Sequence, residues 1–216
     1  MKKLKRLKNR EDVAVKLKEI MPFDKFDPED TIFVGVSSGG LKVADILNEE
    51  LSAEIDILFS EPIYTPNNKE CEIAKISEDE EILINDKLAK FLEIEYDYIY
   101  SEAHRKYEED ILSKLHQLRQ GEPFIDVYNK VVILVDDGVE SGLSILSAIK
   151  TVFAKKPKAL YIAVGVLPKD VLDDLKSYAD EVFYIYAIDD FVEISLYYEE
   201  LGVVSDEEIE KIIRKK

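Results

Sequence analysis

With 216 residues, 46% of them apolar and 35% charged, the chain has the side chains for one α/β domain with a hydrophobic core, and disorder is excluded. A formal net charge of -17 argues against a broad nucleic-acid surface, because phosphate contacts draw on clustered Lys and Arg. No window has the apolar run of a membrane span, the basic residues 1–10 are followed by no apolar signal-peptide core, and the single Cys71 has no disulfide partner, so no membrane association and a reducing, cytoplasmic location are expected.

Val13, Leu17 and Ile20 have helical spacing over residues 11–20, and Pro22 closes that helix. Thr31 to Val36 is a short apolar run with β-branched residues and reads as a strand, followed by a Ser37-Ser38-Gly39-Gly40 loop and a helix with Leu41, Ala44, Leu47 and Leu51 on one face. Residues 54–59 form the next strand, parallel to the first because a helix connects them. Residues 60–79 are rich in Pro, Asn and charge and predict a long excursion from the sheet, partly a hairpin, of the kind that serves as a lid. A short strand is expected at Ile82 to Ile84. Residues 87–120 read as mainly helical, with an apolar stripe of Ile99, Ala103, Tyr107, Ile111 and Leu115. His104 and His116 fall on that segment without a partner at metal-ligand spacing, and both read as surface or packing residues.

Val131 to Val135 gives the strongest strand signal in the chain, five apolar residues of which four are β-branched, and predicts a central buried strand. A loop over residues 136–144, a helix to about Phe153, a strand at 159–166, a helix opened by Pro168 and running to Tyr178, and a strand at 181–186 complete a doubly wound α/β alternation with a mostly parallel sheet. The tail from Asp189 carries Phe191, Tyr197 and Tyr198, and a last helix capped by Ser205 with Glu208 three residues on. The whole is expected to be one domain, with an inserted lid region at about 60–122.

The stretch that carries chemistry is Val131 to Ser144, VVILVDDGVESGLS. In an open parallel sheet, ligands bind beyond the carboxyl ends of the strands, where Asp136 and Asp137 are expected. Adjacent carboxylates leaving a buried strand repel each other and need hydrogen-bond donors or a cation, which ribose hydroxyls and a hydrated Mg²⁺ supply. Behind them, Gly138, Val139, Glu140, Ser141 and Gly142 let the backbone turn tightly, with its N–H groups and those of the next helix aimed at one point, a geometry suited to a phosphate dianion. Ser141 and Ser144 add hydroxyl donors. Read as bare chemistry, the same residues serve equally as an acidic turn whose Asp side chains cap the next helix.

The order of apolar strand, Asp136-Asp137, Gly-x-x-Ser-Gly-x-Ser and helix resembles the fingerprint of type I phosphoribosyltransferases. The Ser37-Ser38-Gly39-Gly40 turn, the loop with Pro66-Asn67-Asn68 and Glu72-Ile73-Ala74, Ile82 to Asn85, residues 191–200 and Ser205 to Glu208 look similar to a poorly defined bacterial group of that family. The resemblance implies phosphoribosyl pyrophosphate as ligand, Mg²⁺ as cofactor, and a nucleobase or related nitrogen nucleophile as acceptor. It implies that Asp136 and Asp137 bind the ribose hydroxyls and, through them or through water, the metal. Gly138, Val139, Glu140, Ser141, Gly142 and Ser144 would surround the 5-phosphate, Ser37, Ser38, Gly39 and Gly40 would form the pyrophosphate loop, and Glu140 would stand near the base as general acid or base. A hood from the chain ends, residues 1–25 and 189–216, and a homodimer are implied in the same way.

Two departures accompany this resemblance. Ser37-Ser38 stands where the group usually has Pro-Arg, and Ser60-Glu61 where it ends its second strand in basic residues. Both remove positive charge opposite an anionic leaving group, leaving Lys69 and Lys75 of the excursion as candidate replacements. The residues therefore leave two readings, a transferase and a non-catalytic ribose-phosphate or nucleotide-binding regulatory protein of the same fold. A dinucleotide-binding domain is disfavoured, because no Gly-x-Gly-x-x-Gly follows the first strand, and a P-loop by the lack of Gly-Lys-Ser/Thr.

Overall fold

The computed structural model describes residues 6–215. Residues 1–5 of the basic start, and of the expected hood, lie outside them. Five parallel strands form the main sheet: β1 (Thr31–Gly35), β2 (Glu54–Ile57), β6 (Val131–Gly138), β7 (Ala159–Pro168) and β8 (Glu181–Ile188), in the order β2-β1-β6-β7-β8. The connecting helices are α2 (Ser38–Asn48), α6 (Leu143–Ala154) and α7 (Lys169–Leu175), with α1 (Arg10–Ile20) before the sheet and α8 (Asp206–Ile213) after it.

Both faces of the sheet are covered, which is why its strands read as continuous apolar runs. On β1, Phe33 points to the face packed by α1, α2 and α8, with Leu17, Leu47 and Ile212, while Ile32 and Val34 point to the face packed by α6 and α7, with Ile149 and Leu172. Val132, Ile133, Leu134 and Val135 have no exposed surface, as the sequence pattern predicts for the central strand, and each such side chain contributes about 1.5–3 kcal/mol on burial. Among the described residues no helix is long and apolar enough to cross a membrane.

The excursion is more regular than its composition suggests. Residues 60–77 form an antiparallel hairpin of β3 (Ser60–Thr65) and β4 (Asn68–Ser77), which β5 (Ile82–Ile84) extends to a three-stranded sheet. Helices α3 (Asp86–Phe91), α4 (Tyr96–Lys106) and α5 (Leu112–Arg119) follow, broken after α3 where Glu93 takes a left-handed φ of 54°. The apolar stripe read from the sequence is real: Ile99, Ala103 and Ile111 are fully buried against Ile63, Ile73 and Ala74. Its strict four-residue spacing drifts around a helix of about 3.6 residues per turn, and a π-helical turn at Tyr107–Ile111 absorbs the drift. His104 and His116 are exposed, as expected.

Several boundaries differ from the sequence expectation, among them four that bear on the site and its frame. β6 continues through Gly138, so Asp136 and Asp137 belong to the strand rather than to a loop after it. Ser38, Gly39 and Gly40 are the first turn of α2, with Ser37 as its N-cap, rather than a loop before the helix. The helix after Pro168 stops at Leu175, and β2 stops at Ile57. The capping box of Ser205 and Glu208 on α8 is present as read.

Candidate functional site

The strand order reverses between β1 and β6, and the chain leaves β1 toward β2 on one side while β6 leads to β7 on the other. Such a switch point opens a crevice beyond the carboxyl ends of the strands. Here the crevice is a cleft of about 250 Å³ whose lining includes Ser37, Asp136, Asp137, all of Gly138 to Gly142, Ser144 and, from elsewhere, Glu72, Lys75 and Ile194. The residues expected to hold a 5-phosphate thus meet at one mouth. Gly142 takes φ 78° at the start of α6, a conformation an L side chain rarely adopts, so glycine lets the strand turn into the helix within four residues. Ser141 Oγ accepts from the N–H of Leu143 at 3.3 Å.

The two carboxylates are almost wholly buried, Asp136 at 4% exposure and Asp137 at 7%. Burial first, and the charge of Asp137 second, push the Asp136 carboxyl well above the usual range; the Ser37 hydroxyl opposes this, donating to Asp136 Oδ1 at 2.5 Å. The same Ser37 oxygen accepts from Gly40 N–H at 2.9 Å, so one hydroxyl caps α2 and orients the acid. Asp137 has a different partner. Arg10, the first residue of α1, donates Nε to Asp137 Oδ2 at 2.7 Å and Nη1 to the carbonyl of Gly202 at 2.6 Å. Its side chain is 15% exposed, so this ion pair is shielded from bulk water.

Arg10 is the site residue that sequence reasoning missed. It counted only as one charge of a basic run, and nothing local marks a contact that spans 127 positions. A second cavity, about 500 Å³, adjoins the first and is lined by Arg10, Ser38 and Gly39 together with Glu193, Ser195 and Leu201. A guanidinium therefore stands beside the first turn of α2, where Ser38 leaves none.

The chain ends close this side. Leu7 pairs with Tyr198, with Leu7 N–H donating to the Tyr197 carbonyl at 2.8 Å and Glu199 N–H to the Leu7 carbonyl at 2.9 Å. Tyr198 OH donates to the Asp137 carbonyl at 2.6 Å, and burial with the two nearby Asp charges holds its phenol far above the usual range, neutral and able to donate. Tyr197 and Tyr198 are core residues at 2% and 4% exposure, leaving half-buried Phe191, stacked on Tyr197 at 5.0 Å, as the less enclosed ring of the three. Glu140 is exposed but tethered, accepting the Ile194 N–H at 2.9 Å.

Of the two candidate lysines, Lys75 reaches the cleft and Lys69 is exposed near the hairpin tip. Glu61, read as an unfavourable charge, pairs with Lys114 and lies 3.8 Å from Lys106 on the inserted helices. Its charge is neutralised there.

Gly39 and Gly40 allow α2 to press on β6. A Cβ on Gly39 would fall 2.1 Å from Asp137 Oδ2, and one on Gly40 2.2 Å from the Val135 carbonyl and 2.9 Å from Asp136 Cα. Because the second obstacle is backbone, Gly40→Ala should cost about 1–3 kcal/mol, read as a lowered midpoint in thermal denaturation; an unchanged midpoint would show that α2 can retreat from β6.

Residues 2–200 match the family description of the phosphoribosyl transferase domain. The chain belongs to that family. The chain is 27% identical to the protein TT1426 of Thermus thermophilus and superposes on it with a TM-score of 0.74 over 96% of this chain and 97% of that one. Two proteins from strains of Mycobacterium tuberculosis, each named "putative phosphoribosyl transferase", are 24% identical over 178 residues, 82% of this chain. The match spans 40% of their own length.

Proposed function

We propose that this phosphoribosyl transferase family member moves a phosphoribosyl group from phosphoribosyl pyrophosphate to a nitrogen nucleophile, a nucleobase or a related amine. One observation carries the reading: two buried carboxylates at the end of β6 face a Gly- and Ser-rich turn into α6 across a single cleft.

Mg²⁺ would need oxygen donors from the chain or from the ligand. Among the described residues no group of three or more His, Cys, Asp or Glu could cage a metal ion by itself. Asp136 and Asp137 nonetheless fit a cation held partly by the ligand, because two buried like charges gain from any positive charge brought between them. When bound, Mg²⁺ would neutralise charge on the pyrophosphate leaving group. The chain does the rest. Asp136 and Asp137 accept hydrogen bonds from the ribose hydroxyls, while Ser141, Ser144 and the first-turn amides of α6 hold the 5-phosphate. The first turn of α2 and Arg10 face the pyrophosphate, replacing the absent loop arginine. The nitrogen then forms its bond to the anomeric carbon as the bond to pyrophosphate breaks, with catalysis coming from positioning and charge stabilisation. Glu140, fixed by Ile194 N–H, is the group to exchange a proton with the acceptor.

The test is titration calorimetry of phosphoribosyl pyrophosphate with Mg²⁺ against ribose 5-phosphate, followed by pyrophosphate release with a panel of nucleobases. The transferase reading expects the pyrophosphate compound to bind at least tenfold tighter, about 1.4 kcal/mol. Equal affinities would favour the second reading, a ribose-phosphate or nucleotide-binding regulatory protein, which the Ser37-Ser38 departure supports. No binding of either compound would remove both.

A further inference from the structure

The cleft holds a carboxylate that the reaction does not call for. Glu72 Oε2 accepts from the Ser141 hydroxyl at 2.9 Å, and Glu72 Oε1 lies 3.0 Å from Lys75 Nζ. Both side chains are largely enclosed, 18% exposed for Glu72 and 10% for Lys75. In a regular strand, residues three apart point to opposite faces. Here the register along the hairpin shifts: Ile63 is opposite Ala74, but Tyr64 is opposite Glu72, so Ile73 is an extra residue in β4. That bulge reverses the alternation and puts Glu72 and Lys75 on one face, while Ile73 and Ala74 are buried in the insertion's own core. A bulge that brings an acid and a base together against Ser141 is a device for aiming side chains.

We propose that Lys75 is a ligand-phosphate-binding residue and that Glu72 occupies the phosphate position until a phosphate monoester displaces it. The inference rests on the reading of this cleft as a ribose-phosphate site. A carboxylate bridging a hydroxyl and an ammonium presents the same donors with two oxygens that a phosphate monoester would use, and the phosphate adds a further oxygen for the amides at the start of α6. With Glu72 in place an incoming dianion meets Asp136, Glu140 and Glu72, together with Asp137, which is already paired with Arg10, and the only Lys or Arg lining this cleft among the described residues is Lys75, itself paired with Glu72. Moving Glu72 aside removes one negative charge from this set and frees Lys75. Phosphate binding and displacement of the Glu72 side chain are then one event.

The experiment is titration of the full chain with inorganic phosphate, ribose 5-phosphate and phosphoribosyl pyrophosphate plus Mg²⁺, for the native protein and for Glu72→Gln, Glu72→Ala and Lys75→Met. Both Glu72 variants should bind inorganic phosphate about tenfold tighter, since they remove the competing charge, and Lys75→Met should bind it about tenfold weaker or worse. Gained affinity is a readout that loosened packing would not produce, and Glu72→Gln keeps the size and the hydrogen bond to Ser141. If the native protein binds ribose 5-phosphate but the Glu72 variants bind no tighter, or Lys75→Met binds unchanged, the latch is overturned and the ribose-phosphate reading stands. If none of the proteins binds any of the three ligands, both fall.

Discussion

Arg119→Leu should lower the stability of this protein by about 3–5 kcal/mol, the largest effect expected from any single substitution here. Arg119, at the end of α5, is 4% exposed and donates to Glu78 through Nη1 and Nη2, both at 2.8 Å, in a fork. Its Nε lies 3.2 Å from Asp56 Oδ1 on β2, and Nη2 also reaches the Ile57 carbonyl. The guanidinium sits over the rings of Phe59 and Phe124 at 5.0 and 5.6 Å. Asp56 is fully buried and also accepts from Ile125 N–H at 3.1 Å, while Glu78 accepts from Phe59 N–H at 2.8 Å. One cation thus ties the main sheet, the hairpin's exit and the end of the inserted helices together. Leucine would leave two carboxylates buried without it. Burial already pushes the Glu78 carboxyl above its usual range against the pull of Arg119. The deficit of the variant should therefore shrink as pH falls toward the range where carboxylates protonate, because a neutral acid costs less to bury. Chemical denaturation at several pH values measures this. Adding Glu78→Gln to Arg119→Leu should recover part of the loss, and full additivity of the two changes would show that they do not form one network.

Asp136→Asn should move stability and binding in opposite directions. Its carboxyl is raised by burial first and by the charge of Asp137 second, so the folded protein holds this proton to higher pH than the unfolded chain does. The sign follows: stability is greatest below the ordinary carboxylate pKa, and it declines as pH rises through the window between that value and the raised one. Asparagine keeps the acceptor for the Ser37 hydroxyl and discards the charge, so at neutral pH the variant should melt higher, by about 2–4 °C for each kcal/mol gained in a chain of this size. Ribose-phosphate affinity should fall about a hundredfold, the value of two hydrogen bonds from ligand hydroxyls to a charged acceptor. A variant that is both more stable and unable to bind would mark Asp136 as a group kept for function at a cost to folding. A variant that melts lower would show that the carboxylate is compensated by contacts other than Ser37.

The sequence by itself determined the layered fold, because both signals that specify it are local. Apolar runs such as Val131 to Val135 can be satisfied only by a strand covered on both faces, and helical stripes such as Leu41, Ala44 and Leu47 supply the cover. The motif from Asp136 to Ser144 was legible for the same reason: its residues are consecutive, and a strand ending in a tight glycine turn brings them to one mouth whatever surrounds them. The tertiary structure decided the charges. Arg10 meets Asp137, Glu72 meets Ser141 and Lys75, and Arg119 meets Asp56 and Glu78, each pair far apart in the chain or brought into phase by a bulge that no residue pattern announces. Asp56, a charge flanked by apolar residues in Ile55 to Phe59, IDILF, was the one available hint of a buried partner. Coulomb interactions depend on distance and burial, and neither is a property of a residue's neighbours in sequence, so the compensation of this acidic site could be seen only once the chain was folded.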